Sequence, residues 1–96
     1  MNPDGTDHAR GRLVQVYRSP LRDGMYLIVD RREGLERVPE LLLQRFGRPQ
    51  PSIVFLLRPD RPLARSEPQA VLDALTEQGF HLQMPPSPEE EGTNDR

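Results

Sequence analysis

The 96-residue sequence has no cysteine, no tryptophan and no lysine, and it has two histidines. Without cysteine the chain cannot form a disulfide or present a thiolate nucleophile, which fits a reducing compartment. No apolar run approaches the roughly 18 residues of a membrane-spanning helix, and residues 1–10 lack the apolar core of a signal peptide. We therefore expect a soluble, cytoplasmic protein.

Residue types that carry catalysis or bind metal ions are also scarce. A metal site needs three or four converging ligands, and two histidines without any cysteine offer too few. Ser19 lies in no Gly-x-Ser-x-Gly motif, and Glu33 and Glu36 lie in a charged turn where solvation is the ordinary role. No glycine-rich phosphate loop is present. We predict no catalytic residue, no metal site and no cofactor; whether Ser19 and His81 meet stays open.

The charges are unevenly distributed. All 13 basic residues are arginine, and residues 10–65 carry a net charge of +6, whereas residues 1–9 carry −2 and residues 66–96 carry −6. Arginine, unlike lysine, binds phosphate through two parallel hydrogen bonds and stacks on aromatic rings. A genomic preference for arginine codons explains the same composition without any ligand. The sequence pI of about 5.6 counts against nucleic-acid binding.

Hydrophobic patterns predict the element order β-β-α-β-α-β. The predicted strands are 13–18, 25–30, 52–57 and 80–84, and the predicted helices are 39–46 and 67–78. Asp23-Gly24 is a turn signal, so the first two strands should form an antiparallel hairpin. Residues 53–57 are apolar at every position, which predicts a strand buried on both faces in the middle of the sheet, with a helix layer on each side.

The first helix has a start signal, an apolar face and a stop signal. Pro39 suits the first helical turn, where its missing N–H is not needed, and Gly47 suits the residue just past the C-terminus. The apolar face consists of Val38, Leu42, Leu43 and Phe46. Because about two helical turns are unstable alone in water, we expect this face to pack against the sheet.

The second helix leads directly into the last strand. Ser66 with Gln69 resembles a capping box at the helix start, and Gly79 suits the helix end. The predicted apolar stripe consists of Val71, Ala74, Leu75 and Gln78. In the strand that follows, strict alternation separates two sets of side chains. The residues predicted to face the core are Phe80, Leu82 and Met84, and those predicted to face away are His81 and Gln83.

Together these elements predict one small layered α/β (α+β) sandwich with a four-stranded sheet, formed by residues 12–86. Residues 1–11 are polar and lack any period, and residues 87–96 are rich in glutamate without apolar anchors. Both ends should therefore be disordered. A domain of this size buries a small core, so we expect a stability of only a few kcal/mol, near the low end of about 5–15 kcal/mol.

Several short segments resemble the YcgL-domain family of small uncharacterised bacterial proteins. The segments that carry the resemblance are Tyr17-Arg18-Ser19, Arg22-Asp23, Tyr26-Leu27, Arg37-Val38-Pro39, Phe46-Gly47-Arg48-Pro49 and residues 75–86. The resemblance covers about Val14 to Pro88, and it implies a small α/β sandwich without assigned catalytic residues. The chain departs from the family pattern after residue 88. Relatives continue there with a partly apolar segment, whereas this chain has Glu89-Glu90-Glu91-Gly92-Thr93-Asn94.

One group of side chains is a candidate binding site. Its members are Tyr17, Arg18, Arg22 and Asp23 on the hairpin, with Arg37 and Arg48 flanking the first helix. Several guanidiniums beside an aromatic ring suit phosphates and a stacked base. In the structural alternative, Arg37 pairs with Glu33 or Asp30, Arg18 pairs with Asp23, and Tyr17 simply packs.

These patterns support three functional hypotheses. The first is a non-enzymatic accessory module that binds a protein partner, which requires an exposed apolar or strand-edge patch near His81 and Gln83. The second is association with RNA or another nucleic acid, which requires the arginines Arg18, Arg22, Arg37 and Arg48 to converge on one face. The third, an enzyme acting on a small phosphorylated substrate, requires a concave pocket that so small a core can scarcely enclose.

Overall fold

The computed structural model describes residues 11–63 and 66–85. In chain order its elements are β1 (Arg12–Arg18), β2 (Tyr26–Asp30), α1 (Glu40–Phe46), β3 (Gln50–Leu57), α2 (Pro68–Glu77) and β4 (Phe80–Gln83). The predicted element order is confirmed, and the predicted bounds differ from the observed ones by one or two residues at most. The disorder predicted at the two chain ends concerns residues that, except for Gly11, lie outside the described part of the chain.

The four strands form one sheet in the order β3-β1-β2-β4. Every neighbouring pair is antiparallel, so the predicted α+β class is confirmed. β1 and β2 form the predicted hairpin, whose connecting loop is residues 19–25, hereafter the hairpin loop. In this loop the Met25 N–H donates to the Arg22 carbonyl at 3.2 Å. The hairpin lies at the centre of the sheet, and β3 and β4 are its two edges.

The sheet is covered by one helix on each face. On the face that we call the α2 face, Val71 and Leu75 of α2 share a buried cluster with Val14, Ile28 and Leu57. On the opposite face, the α1 face, the buried cluster consists of Met25, Leu27, Val29, Val38 and Phe46, with Leu42 and Leu43 packed against it. The predicted apolar face of the first helix is therefore confirmed. The core has three layers, with the sheet in the middle.

The position predicted for the third strand is wrong. β3 lies at an edge of the sheet, and Ile53, Val54 and Leu56 remain 56%, 40% and 39% exposed. Leu57 is the one apolar residue of this strand that is fully buried. An unbroken apolar run indicates that a strand can be buried on both faces, but it does not determine which strands lie beside it. The two helices, of seven and ten residues, cover mainly the hairpin strands, and much of β3 remains exposed to solvent.

The predicted start of the second helix is also corrected. The N-cap is Glu67 rather than Ser66, and no side chain caps the helix by a hydrogen bond. Pro68 begins the helix without an unsatisfied N–H, so a capping side chain is less needed there. The observed buried residues are Val71, Leu72 and Leu75, so Leu72 belongs to the stripe and Gln78, which is exposed, does not.

Candidate functional site

An apolar groove lies on the α2 face. It has a volume of about 310 Å³ and is lined by Val16, Tyr26, Ile28, Ser52, Ile53, Phe55, Leu63 and Gln83. The lining comes from all four strands because side chains alternate along each strand, so every second residue points to the same face. The groove persists because α2, with ten residues, packs on only part of this face.

The groove is apolar with polar groups around it. Among its described lining residues there is no carboxylate, guanidinium or histidine, and the polar members are Tyr26, Ser52 and Gln83. Its volume is at the lower end of the roughly 300–1,000 Å³ of small-molecule sites, and such sites enclose most of their ligand. Because Ile53 is more than half exposed, this groove is open. It is suited to a few apolar side chains presented by another protein.

His81 and Gln83 do not form the exposed strand face that the alternation predicted. Both are half-buried on the α2 face, where Ser66 Oγ lies 3.5 Å from His81 Nε2 and 3.1 Å from Gln83 Oε1. The alternation itself is right. Because both faces of the sheet are covered, side chains that point away from the α1-face cluster point toward the α2 layer. Met84, predicted to face the core, is 47% exposed because β4 ends at Gln83.

Burial also decides the chemistry of His81. Burial disfavours the charged imidazolium and lowers the pKa of His81 below its ordinary value of 6.5. The side chain is therefore mainly neutral at pH 7 and supplies no positive charge to a ligand. Among the described residues no carboxylate is hydrogen-bonded to this ring, so the Ser66 and His81 pair lacks the third group that orients a catalytic histidine.

Ser19 has a structural role and does not meet His81. Its hydroxyl donates to the carbonyl of Phe46, the last residue of α1, and accepts the backbone N–H groups of Leu21 and Arg22 at 3.1 Å. These bonds hold the hairpin loop against the end of α1. Ser19 is buried, and its hydroxyl is fully used by these contacts.

Three of the predicted arginines lie at the hairpin-loop end of the molecule. Arg18 pairs with Gln50 in the β1–β3 ladder, and the Gln50 side chain donates to the Arg48 carbonyl at 3.2 Å. Arg22 lies in the hairpin loop, which Ser19 fastens to the end of α1. All three arginines are exposed, and within the described residues none of them makes an ion pair. We call Arg18, Arg22 and Arg48 the arginine cluster.

Arg37 lies apart from the arginine cluster, near the end of α2. Its guanidinium is 3.8 Å from Glu33 and donates to the Glu77 carbonyl at 3.1 Å. The structural alternative is therefore confirmed for the pairing of Arg37 with Glu33. Gly79 makes room for this side chain, since a Cβ at Gly79 would lie 2.6 Å from the Cβ of Arg37.

The remaining hairpin candidates divide between packing and exposure. Tyr17 is half-buried and packs against the cluster of the α1 face, as the structural alternative predicted. Asp23 is exposed at the tip of the hairpin loop. The predicted ion pair of Arg18 with Asp23 is wrong, because the described residues contain no such contact.

An ion pair between Arg12 and Asp30 was not predicted from the sequence. The two side chains are 2.8 Å apart and only 16% and 12% exposed. Arg12 also donates to Thr76 of α2 at 3.1 Å, so it joins the hairpin to the helix layer. A signal was present, since the hairpin register places residues at the start of β1 beside the end of β2, where Asp30 lies.

The environment of Asp30 favours its charged form. Burial alone raises the pKa of a carboxyl group, but here the Arg32 N–H, the Arg12 guanidinium and the Glu33 N–H outweigh burial and lower the pKa of Asp30 below 3.8. The Arg32 N–H donates to Asp30 Oδ1 at 2.8 Å. All these partners belong to the fold, so the ion pair is a structural contact between β1, β2 and α2.

The described residues offer few other functional arrangements. No group of three or more histidine, cysteine, aspartate or glutamate side chains in the described ranges is placed to hold a metal ion. Neither helix in this part of the chain is long and apolar enough to span a bilayer. The apolar groove and the arginine cluster are two surfaces suited to binding another molecule.

Comparison with known proteins identifies the family. A family model described as the YcgL domain matches residues 14–86. A YcgL domain-containing protein of Chromohalobacter salexigens is 54% identical over 78 residues, which is 81% of each chain. One from Pseudomonas aeruginosa is 54% identical over 79 residues, or 82% of this chain and 81% of the relative. One from Saccharophagus degradans is 46% identical over 77 residues, or 80% of this chain and 85% of the relative. The chain belongs to the YcgL-domain family.

Proposed function

We propose that this protein is a non-enzymatic accessory module that binds a protein partner at the apolar groove. The observation that supports the proposal is an open, uncharged groove whose wall includes Ile53, an aliphatic residue more than half exposed to solvent. Exposed apolar patches of this kind are typical of interaction surfaces. Gln83, near which the sequence predicted such a patch, lines the groove.

The occupant is an apolar segment of another protein. Residues 86–96 follow β4 in the sequence, but they contain no Val, Ile, Leu, Met or aromatic side chain to place in the groove. A partner segment with two or three apolar side chains matches a volume of about 310 Å³. The Gln83 amide and the hydroxyls of Ser52 and Tyr26 can donate to and accept from the backbone of such a segment.

Replacing Ile53 with aspartate is expected to abolish partner binding, because it places a charge in a groove that otherwise desolvates apolar side chains. The full chain is immobilised, bound proteins are identified by mass spectrometry, and the affinity of each purified candidate is then measured. The matched control is Leu41→Asp, since Leu41 is 73% exposed on α1, on the opposite side of the sheet.

We expect a protein that binds the wild type and Leu41→Asp with equal affinity and binds Ile53→Asp at least about tenfold more weakly, a difference of about 1.4 kcal/mol. The same affinity for all three chains would contradict the groove as the binding site. Circular dichroism of each variant shows whether the fold is retained.

The arginine cluster supports a second candidate function, the binding of RNA. Three exposed arginines, which make no ion pair within the described residues, lie at the hairpin-loop end of the molecule. The hypothesis requires these arginines to converge on one face, and Arg37 lies apart from them at the end of α2. Phosphate neutralisation by such a cluster is sequence-independent and sensitive to salt.

The variant Arg18→Ala/Arg22→Ala separates this function from non-specific attraction. Fluorescence anisotropy of a short labelled RNA is measured at low and physiological salt, with Arg31→Ala/Arg32→Ala as the control of equal charge. Arg31 and Arg32 are exposed and follow β2 at the other end of the hairpin. We expect binding that weakens with salt and that only the first variant reduces strongly. No binding at low salt, or equal losses in both variants, would contradict an RNA site here.

A further inference from the structure

The outer edge of β3 is long, uncharged and open. β3 has eight residues, Gln50–Leu57, none of which carries a charge. β4, the opposite edge, has four residues. Proteins usually protect an edge strand with charges, prolines or bulges, because its free N–H and C=O groups pair with other strands. Pro51 and a bulge at residues 52–53, between the pairs Gln15–Val54 and Tyr17–Pro51, protect the first half of β3, but nothing of this kind among the described residues protects residues 54–57.

We propose that residues 53–57 pair antiparallel with the same residues of a second copy of this chain, which joins two sheets into one of eight strands. The proposal goes beyond the groove, because it assigns a function to the strand edge. The occupant of this edge must be a strand with apolar side chains on both faces. The segment Ile53-Val54-Phe55-Leu56-Leu57 is itself such a strand, so the edge is complementary to its own copy.

The ladder shows which backbone groups are free. The Arg31 N–H donates to the Leu13 carbonyl, so the backbone groups of Leu13 point to β2. By alternation, the backbone groups of its neighbours Arg12 and Val14 point to β3. Arg12 faces Leu57 and Val14 faces Phe55 across the β1–β3 ladder. By the alternation of an antiparallel ladder, the N–H and C=O groups of Val54 and Leu56 then point away from β1. These are the groups available to a second copy.

A two-fold axis through Phe55 satisfies these groups. It places Val54 of one protomer opposite Leu56 of its partner, where the two residues exchange both backbone bonds, and symmetry repeats the exchange. Side chains that face each other then lie on the same face of the joined sheet. On the α1 face this covers Val54 and Leu56, which are now 40% and 39% exposed, and it extends cover toward the 48% exposed Leu13.

The residues that flank the pairing do not oppose it. With the axis at Phe55, Arg58 of one protomer lies opposite Ser52 of its partner, and Asp60 lies opposite Gln50. No two like charges face each other across these pairs. The guanidinium of Arg58 is 3.3 Å from Asp60 of its own chain, which balances its charge. The pairing is therefore free of the repulsion that usually protects an edge.

The contact is short, so the dimer is weak. Five residues a side bury less than the roughly 800 Å² per partner of a standard stable interface. We expect a dissociation constant in the micromolar range, about 10–100 μM, so that the 11.0 kDa chain dimerises as its concentration rises. Sedimentation velocity of the protein at about 5–500 μM, a range that spans this dissociation constant, is expected to show monomer converting to a species of twice that mass.

The variant Val54→Lys/Leu56→Lys tests the edge. Both residues lie on the α1 face, so the lining of the groove on the α2 face is unchanged. We expect the dissociation constant to rise at least about tenfold, since lysine on an edge strand opposes pairing. Leu41→Lys, at the most exposed aliphatic position of α1, is the control and should dimerise like the wild type. A monomer at every concentration of the wild type, or equal dimerisation of the three chains, overturns the proposal.

A distance measurement decides the case even if the double variant does not fold. The chain has no cysteine, so Ser52→Cys introduces a single labelling site. With the axis at Phe55, the two copies of residue 52 are six strand positions apart, or about 20 Å at 3.3 Å per residue. Double electron–electron resonance between spin labels at this site is expected to give a distance distribution centred near that value. A distribution centred beyond about 35 Å, far from this strand spacing, shows that a different surface pairs.

Discussion

Replacing Phe46 with alanine is expected to unfold a large fraction of the protein at 25 °C. Phe46 is the largest fully buried side chain and lies in the cluster between α1 and the sheet. Truncating a buried phenylalanine costs about 3–5 kcal/mol, because apolar contacts are lost and a cavity remains. A domain this small has a free energy of unfolding near the low end of about 5–15 kcal/mol, so the loss consumes most of it.

Urea denaturation followed by circular dichroism measures this effect. The control is Leu41→Ala in the same helix, since Leu41 is 73% exposed and its truncation should change stability by no more than about 0.5 kcal/mol. Equal midpoints for the two variants would show that α1 contributes little to the core. The comparison keeps helix length and the number of altered residues the same.

Replacing Asp30 with alanine is expected to lower the free energy of unfolding by about 3 kcal/mol. The change leaves the Arg12 guanidinium, only 16% exposed, without its carboxylate, and breaking one side of a buried pair costs about 3–5 kcal/mol. The control is Asp60→Ala, whose pair with Arg58 is 3.3 Å long but whose side chain is 75% exposed. Exposed pairs contribute about 0–1 kcal/mol, so similar losses in the two variants would contradict the structural role of Asp30.

The same ion pair predicts a dependence of stability on acid pH. The pKa of Asp30 is lower in the folded protein than the ordinary value of 3.8, which the unfolded chain approaches. Its contribution is therefore fully present above about pH 4 and is lost as the pH falls through the folded pKa. We expect Asp30→Asn to lose less stability than the wild type between pH 5 and pH 2 in thermal unfolding. Parallel curves for the two chains would exclude this linkage.

The local elements of the fold were predictable because their signals lie within a few residues of one another. Pro39 and Gly47 bound the first helix, and its apolar residues recur at helical spacing. Asp23-Gly24 closes the hairpin in the same local way. The resemblance to the YcgL-domain family, carried by such short segments, is confirmed by the match over residues 14–86.

The candidate site was predictable only in part, because it depends on which strands are neighbours. The RNA hypothesis required four arginines on one face, and the structure places three of them at the hairpin-loop end while Arg37 lies at the far end of α2 beside Glu77. The apolar groove was not predicted as such, because its lining comes from all four strands. The ion pair of Arg12 with Asp30 likewise joins residues 18 positions apart.

The sequence by itself determined the elements, their order and the family of this protein, since propensity, periodicity and end signals act over one or two turns of chain. Only the tertiary structure decided that β3 is an edge and that His81 and Gln83 are half-buried. The physical reason is the cover available to the sheet. Two short helices bury the central hairpin on its two faces, and they leave the strand with the most continuous apolar run, Ile53 to Leu57, at an exposed edge of the sheet.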